Sequence, residues 1–461
     1  MHSFLSRCLL WAAVIGLVLA AAADAEPLPP PAVGEAIPRP AAGENAPAAL
    51  DLATALQWTL SGNPDLVSLR RSLSVSAAAV AVARQFPTSL NPTVTIDYQP
   101  WTFDRDTGQG AHRLEQLIGV TWSQPIELGD RTAKRLAIAR AAYDQTHWNV
   151  LQAELQAMVE TYRLHQTASY RRERLRVAQH LAEFNVQLLQ TVRRQMEAAQ
   201  ASAADVVLAE VENQSMVERL QTAQQEYIDA LTDLRRQIGL PECVASVVPA
   251  GGLKVPEGVS AGEEEELIRM ALESHPEINA ARAQAAGSHA ALALARADRI
   301  VIPSVGPYYE HDEAGITYYG VALSSPIPVL NSGKPLVRQR EMEHSRDVVA
   351  VEQLRIRTIA RVRASLVRWN QTKGLVARVD AATAMIQDQT AKMERLYAAG
   401  QTDLLKLLQV RQRLIEAENA QLDMTWQATQ AYSELLTALG ATPLIGSLQP
   451  PADALLSLPV R

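Results

Sequence analysis

Apolar residues recur in this chain with helical spacing over long runs. Trp148, Leu151, Leu155, Met158 and Tyr162 step by 3, 4, 3, 4, the repeat of a coiled-coil seam. Val217, Leu220, Tyr227, Leu231, Leu234 and Ile238 form a second such stripe, with only Gln224 polar. No Gly or Pro occurs from Arg131 to Ile238, and only Gly374 and Gly400 occur from Leu336 to Leu439. Average composition would put about a dozen in each stretch, so both are predicted to be long helices, each folded back once. The fold-back points are predicted at Ala199-Gln200-Ala201-Ser202 and Ala399-Gly400-Gln401-Thr402, followed by helix-starting Asp205 and Asp403. Residues 131–199 then make a helix of about 100 Å, 203–239 one of about 55 Å and 64–86 one of about 35 Å. The two shorter helices end to end nearly match the long one. That is a wall of helical hairpins, with one arm continuous and the other broken.

Between the helices the period changes to two. Thr93–Gln99 alternates polar and apolar throughout, and Ile118, Val120 and Trp122 share one face of the next segment. Residues 304–312 and 315–324 supply a second pair. Aromatics gather here: Tyr98, Trp101, Phe103, Trp122, Tyr308, Tyr309, Tyr318 and Tyr319 all lie in 93–124 or 304–324. Strands of about ten residues, apolar on alternate positions and ringed by aromatics, suit a lipid-facing barrel. A soluble four-stranded cap satisfies the same pattern.

The body is one unit written twice, each running helix, helix, strand, strand, long helix, long helix. Leu56, Leu60, Asn63-Pro64, Leu66, Arg70 and Arg84 recur 212 positions on as Ile268, Leu272, His275-Pro276, Ile278, Arg282 and Arg296. Ser123-Gln124-Pro125-Ile126 recurs 201 positions on as Ser324-Ser325-Pro326-Ile327, and Leu231, Leu234 and Gly239 as Tyr432, Leu435 and Gly440. The expected division is a signal peptide (1–25), a Pro-rich extension without fold content (26–49), a first repeat (50–241), a linker (242–262), a second repeat (263–441) and a tail (442–461).

Composition narrows the class. A formal net charge of −7 has the wrong sign for a phosphate-binding protein. Arg7, the apolar run Cys8–Leu19 and Ala23-Asp24-Ala25 read as a cleavable export signal. Cys8 lies inside that signal, away from the cleavage point, so no lipid anchor is expected. After cleavage only Cys243 remains, which excludes an internal disulfide. No spanning helix is expected in the mature chain. Four strands cannot close a barrel in lipid, because open edges leave backbone groups unpaired. The chain must therefore combine with copies of itself: a trimer gives twelve strands, an even number, and a dimer gives eight, with little lumen.

These features resemble the TolC family of trimeric outer-membrane efflux channels over about residues 50–440. The resemblance is carried by Asn63-Pro64 and His275-Pro276, by the duplicated order and by two hinges, Ser123–Ala141 and Ser324–Pro335. The hinges are similar to those of channels serving cobalt–zinc–cadmium and related metal pumps. The resemblance implies a mainly α fold with a small β part: a trimeric twelve-stranded transmembrane β-barrel in the outer membrane, continued by a long periplasmic α-helical barrel. It also implies a periplasmic adaptor and an inner-membrane pump as partners, passive conduction of divalent metal cations, no cofactor and no nucleic acid. The tip would dock the adaptor through Ala199, Gln200, Ala201, Ser202, Ala399, Gly400, Gln401, Thr402 and Leu404. Asp205 and Asp403 would form an acidic constriction. Tyr98, Trp101, Trp122, Tyr308 and Tyr318 are the expected barrel aromatics.

Other candidate chemistry reads as structural. Glu310-His311-Asp312-Glu313 has metal-ligand side chains but sits in an inter-strand turn, where acidic residues are usually solvated. Glu263–Glu266 opens a helix, where negative charge suits the dipole. No HExxH, CxxC or GxSxG is present, and Asn331–Pro335 lacks the first Gly and the Ser/Thr of a phosphate loop, so no enzymatic activity is expected. The competing reading is a periplasmic coiled-coil adaptor or scaffold protein. It accounts for the hairpins but not for the doubled, aromatic-rich strand pairs.

Overall fold

The computed structural model describes residues 48–99, 117–198, 202–240, 247–256, 264–312, 316–399, 401–402 and 404–440, all within one compact unit spanning 40–449. The expected signal peptide, most of the Pro-rich extension, Trp101, Phe103, Ala199–Ala201, Cys243, Glu263, Glu313, Gly400, Asp403 and the tail lie outside the described residues. In chain order the elements are β1 (Ala48–Leu50), α1 (Leu52–Gly62), α2 (Pro64–Arg84), β2 (Thr93–Gln99), β3 (Leu117–Pro125), α3 (Arg131–Glu197) and α4 (Ala203–Gln237). Then come β4 (Val247–Pro249), α5 (Glu264–Ser274), α6 (Pro276–Ala297), β5 (Ser304–His311), β6 (Thr317–Ser324), α7 (Lys334–Ala398) and α8 (Leu404–Leu439).

The two repeats break their short arms in the same way. Asn63 caps α2, its Oδ1 accepting from the amides of Asp65 and Leu66 at 3.0 and 3.3 Å. His275 caps α6, its Nδ1 accepting from the Glu277 amide at 3.2 Å. Proline follows each cap at the first helical position, where its missing N–H costs nothing. Asn63 Nδ2 also donates to the Gln237 carbonyl at 3.0 Å, which sets the start of α2 at the end of α4. Gly239 and Gly440 close the two joints at φ 68 and 63. A Cβ there would overlap the Gly62 carbonyl or the His275 ring, so each joint needs glycine twice over, for conformation and for space.

The cores superpose by the same offsets. Ala168, Ala230, Leu234 and Ile238 pack together with Trp58 and Ala55. In the second repeat Trp369, Ala431, Leu435 and Leu439 pack with Leu267 and Met270. A tryptophan on the short helix of one repeat is thus exchanged for one on the long helix of the other.

Of the long helices, α3 is buried on most sides between Glu154 and Tyr170. It packs on α1, α2 and α4 of its own repeat and on α6 and α8 of the other. By contrast α7 packs on α5, α6 and α8. The arms therefore lie in the order α2 with α4, then α3, then α6 with α8, then α7. Exposed large apolar side chains collect on the first and last arms: Val75, Val82, Val211 and Ile228 at one end, Ile356, Val367 and Met385 at the other.

Two sequence expectations change. Pro64–Leu90 is long and apolar enough to cross a membrane by length and composition, where no such helix was expected. Asn63 and Arg70 instead anchor α2 to α4 and α3, so its apolar surface belongs to an end arm of the wall. The Pro-rich extension, read as lacking fold content to residue 49, ends in a strand: Ala48–Leu50 pairs in parallel with Val247–Pro249. This pairing crosses about two hundred residues and is too short to show a period. His165 Nε2 bonds the Leu50 carbonyl at 3.1 Å, fixing β1 on α3.

The four strands form an antiparallel sheet in the order β2-β3-β5-β6, with β2 and β6 as its edges. Register places Val94, Ile96 and Tyr98 opposite Trp122, Val120 and Ile118, and Val120 opposite Tyr309, which in turn faces Tyr319. Val321 and Leu323 share that side, and both are exposed. The opposite side carries Thr93, Thr95, Asp97, Thr121, Tyr308, Gly320 and Tyr318. One face is a continuous apolar band and the other is polar or small.

Candidate functional site

The sequence-predicted site residues fall on the sheet, the hinges and the helix tips. On the sheet, Tyr98 and Trp122 lie in the apolar band. Tyr308 and Tyr318 do not: they stand on the polar face, with the Tyr308 ring over Gly320 and the Tyr318 hydroxyl donating to Asp312 at 3.3 Å. The tyrosines of the apolar band are Tyr309 and Tyr319, whose rings meet at 5.3 Å. Each strand carries two adjacent tyrosines, so alternation leaves the choice open and only the pairing of Tyr309 with Val120 decides it.

At the first hinge the chain turns from strand to helix through Gly129 and Asp130, at φ 83 and 50. Behind the turn Arg131 is only 5% exposed. Its guanidinium donates to the Ala297 carbonyl at 3.0 Å and to the Ile300 carbonyl, and pairs with Asp298 at 3.3 Å. The first repeat's long helix is thereby clamped to the end of the second repeat's short one. Glu127, bound by Arg135 at 2.5 Å and Thr132 at 2.7 Å, is held below the usual carboxylate range, chiefly by the Arg135 hydrogen bond. The second hinge has no such cover: Ile327, Val329 and Leu330 project into solvent.

At the tip Ser202 and Asp205 form a capping box, with the Ser202 amide and hydroxyl both bonded to the Asp205 carboxylate at 2.9 and 2.7 Å. The carboxyl is lowered by those same bonds, the backbone one first. Ala399 and Gln401 are exposed and Thr402 half-buried, and the Gln401 amide closes the turn on the Leu396 carbonyl at 2.9 Å. Leu404 begins α8. Just behind the tips the hairpins touch: Leu408 packs on Leu188 and Val192, and the Tyr397 hydroxyl donates to Gln195 at 3.3 Å.

Among the described residues no group of three or more His, Cys, Asp or Glu could hold a metal. The Glu310–Asp312 segment serves its own turn, with Asp312 accepting from the Ile316 amide at 2.8 Å and His311 meeting Thr317 at 3.0 Å. Glu264 pairs with Arg363 at 2.8 Å. No two histidines have ligand spacing on one helix, but the fold brings His289 and His344 to 5.3 Å from different helices.

His165 and His275, both 3% exposed, resist protonation because burial disfavours the charged ring. Unfolded histidine titrates near about 6.5. Below that the unfolded chain takes up protons that the folded chain refuses, so stability present at neutral pH is lost on acidification. The thermal midpoint is expected to fall between pH 7.5 and 5.5. His275→Asn, which installs the cap of the first repeat, should reduce that fall; an unchanged slope would exclude His275 as a contributor.

The chain combines long hairpins with broken arms and an open sheet with one apolar face. The sequence model described as outer membrane efflux protein matches residues 267–441. The chain is 25% identical over 429 residues to the pyoverdine export outer membrane protein OpmQ of Pseudomonas aeruginosa, covering 83% of this chain and 86% of that one. In fold it is similar to CusC (TM-score 0.68, 17% identity, 88% and 99% of the two chains). It is likewise similar to the open state of the MtrE outer membrane channel of Neisseria gonorrhoeae (TM-score 0.67, 18% identity, 85% and 89%). Residues 267–441 thus match the outer membrane efflux protein model, and the fold is similar to that of solved outer-membrane channels.

Proposed function

We propose that three copies of this chain form the passive exit duct of a tripartite efflux system, anchored in the outer membrane and reaching into the periplasm. The observation that carries this reading is the sheet. Its apolar face is continuous across four strands, and among the described residues neither edge is paired. Lipid tolerates such a sheet only when it is closed, and three copies give a twelve-stranded barrel with a polar bore. The bare apolar side chains on the two end arms then meet one another around the ring. The duct performs no chemistry. A periplasmic adaptor would dock at the helix tips, and an inner-membrane pump would supply the energy.

The two hinges favour divalent metal cations as cargo. The relative named for pyoverdine export favours an organic cargo instead. Tolerance of metals and export of pyoverdine-like compounds in a deletion strain separate the two.

An acidic ring at the tip draws on Asp205 and Asp403, one carboxylate per turn, with Asp205 also serving as a helix cap. In planar bilayers Asp403→Ala is expected to raise single-channel conductance and lower cation preference. Unchanged conductance and selectivity would remove Asp403 from the constriction. Recovery of the protein as a soluble periplasmic monomer would overturn the duct itself and favour a scaffold.

A further inference from the structure

Two histidines meet in a part of the wall that the sheet, the hinges and the tips leave unused. Helices α6 and α7 run antiparallel, and three cross-bonds fix their register: Arg296 with Glu341 at 2.9 Å, Ser288 with His344 at 3.3 Å, and Gln284 with Asp347 at 3.3 Å. Within that ladder the His289 and His344 rings stand 5.3 Å apart between centroids, tilted by 56°. With metal–nitrogen bonds of about 2.0–2.1 Å, two imidazoles on one tetrahedral ion have centroids about 5 Å apart. The packing of two helices therefore holds the rings at a ligand spacing that neither helix offers alone.

The hydrogen bonding leaves the right atom free. Ser288 Oγ donates to the Ala285 carbonyl at 3.1 Å, so toward His344 it can only accept. His344 Nδ1 then carries the proton and Nε2 keeps its lone pair. Metal-binding histidines are oriented in this way, the second ring nitrogen donating to a neighbour. The His289 ring is exposed and has no hydrogen-bond partner among the described residues. The arginines on adjoining turns, Arg296, Arg340 and Arg346, each pair with a carboxylate, Glu341, Glu343 and Asp347, which lowers their repulsion of a cation.

We propose that His289 and His344 together bind one divalent transition-metal ion, with water completing its coordination. Among the described residues no third His, Cys, Asp or Glu joins them, so the ion exchanges with solvent and is not locked in a closed cage. Imidazole ligands suit Cu²⁺, Ni²⁺ and Zn²⁺, with Cu²⁺ bound most tightly; Mg²⁺ and Ca²⁺ prefer oxygen. The bridging ion ties the short arm α6 to the long arm α7 about ten residues, or about 15 Å, from the start of α7. That start is the second hinge, which has no buried clamp of its own.

The site does not depend on the cargo of the duct, and it is read on the purified, untagged full chain in detergent, with Cys243→Ser removing the thiol. Cu²⁺ alone is expected to bind saturably, to show two nitrogen ligands in its electron paramagnetic resonance spectrum and to raise the thermal midpoint. Ser288→Ala should weaken binding about tenfold, because it frees the ring that Ser288 orients. His289→Ala and His344→Ala should weaken it further and abolish the thermal shift. His180→Ala, at an exposed histidine of α3, should change neither, and Mg²⁺ should produce neither. Without metal the midpoint of His289→Ala should equal that of the parent, since the ring is exposed, which separates loss of the site from loss of the fold. Parent-like Cu²⁺ binding in either histidine variant, a spectrum with a single nitrogen ligand, or an equal loss in His180→Ala would overturn the site.

Discussion

Ile96→Arg is expected to abolish recovery of heat-modifiable trimers from the outer-membrane fraction, while Thr95→Arg, one residue away, leaves them in place. The two side chains point to opposite faces of β2. Ile96 stands in the apolar band with Val94 and Tyr98 and opposite Val120; Thr95 faces the polar side, opposite Thr121. An arginine on the lipid face near the bilayer midplane costs about 2–4 kcal/mol, and the proposed threefold assembly would place three of them in one barrel. On the bore side the same guanidinium stays hydrated. Recovery in membranes with and without heating reads the difference directly. Equal tolerance of both substitutions would show that β2 does not face lipid, and the sheet would then be a soluble cap.

Arg131→Ala should produce the second largest effect, a loss of about 2–4 kcal/mol, because the buried Ala297 carbonyl and the part-buried Ile300 carbonyl lose a charged donor. The Ala297 carbonyl is buried behind the hinge, and Asp298 loses its partner. Arg131→Lys should recover only part of the loss, since an ammonium lacks the planar fork that reaches both acceptors and the carboxylate. The thermal midpoint of the purified protein in detergent is the measurement. Arg163→Ala provides the comparison, as Arg163 pairs with Glu160 at 2.6 Å on the exposed helix surface, where such pairs contribute little. A shift for Arg131→Ala as small as that for Arg163→Ala would mean that the clamp does not hold the hinge.

The seam on α4 was legible only in part. Leu234 and Ile238 are buried as the stripe predicts, whereas Val217, Leu220, Tyr227 and Leu231 are half-buried. In a single copy the wall covers that stripe incompletely.

What the sequence determined by itself is local or periodic. The absence of Gly and Pro sets the long helices, because one missing backbone bond would break them. Asn63-Pro64 and His275-Pro276 mark the breaks in the short arms because cap chemistry operates within three residues. Alternation marks β2, and the two offsets reveal the duplication. Tertiary structure decided what depends on distant partners. Adjacent tyrosines left the facing of β5 and β6 open until the register with Val120 selected Tyr309 and Tyr319. Arg131 reads as one surface charge among many until the fold sets it against carbonyls more than 160 residues away. The partner of β1 and the bare face of α7 are likewise written nowhere along the chain, because burial is a relation between elements and the linear pattern records only each element's own surface.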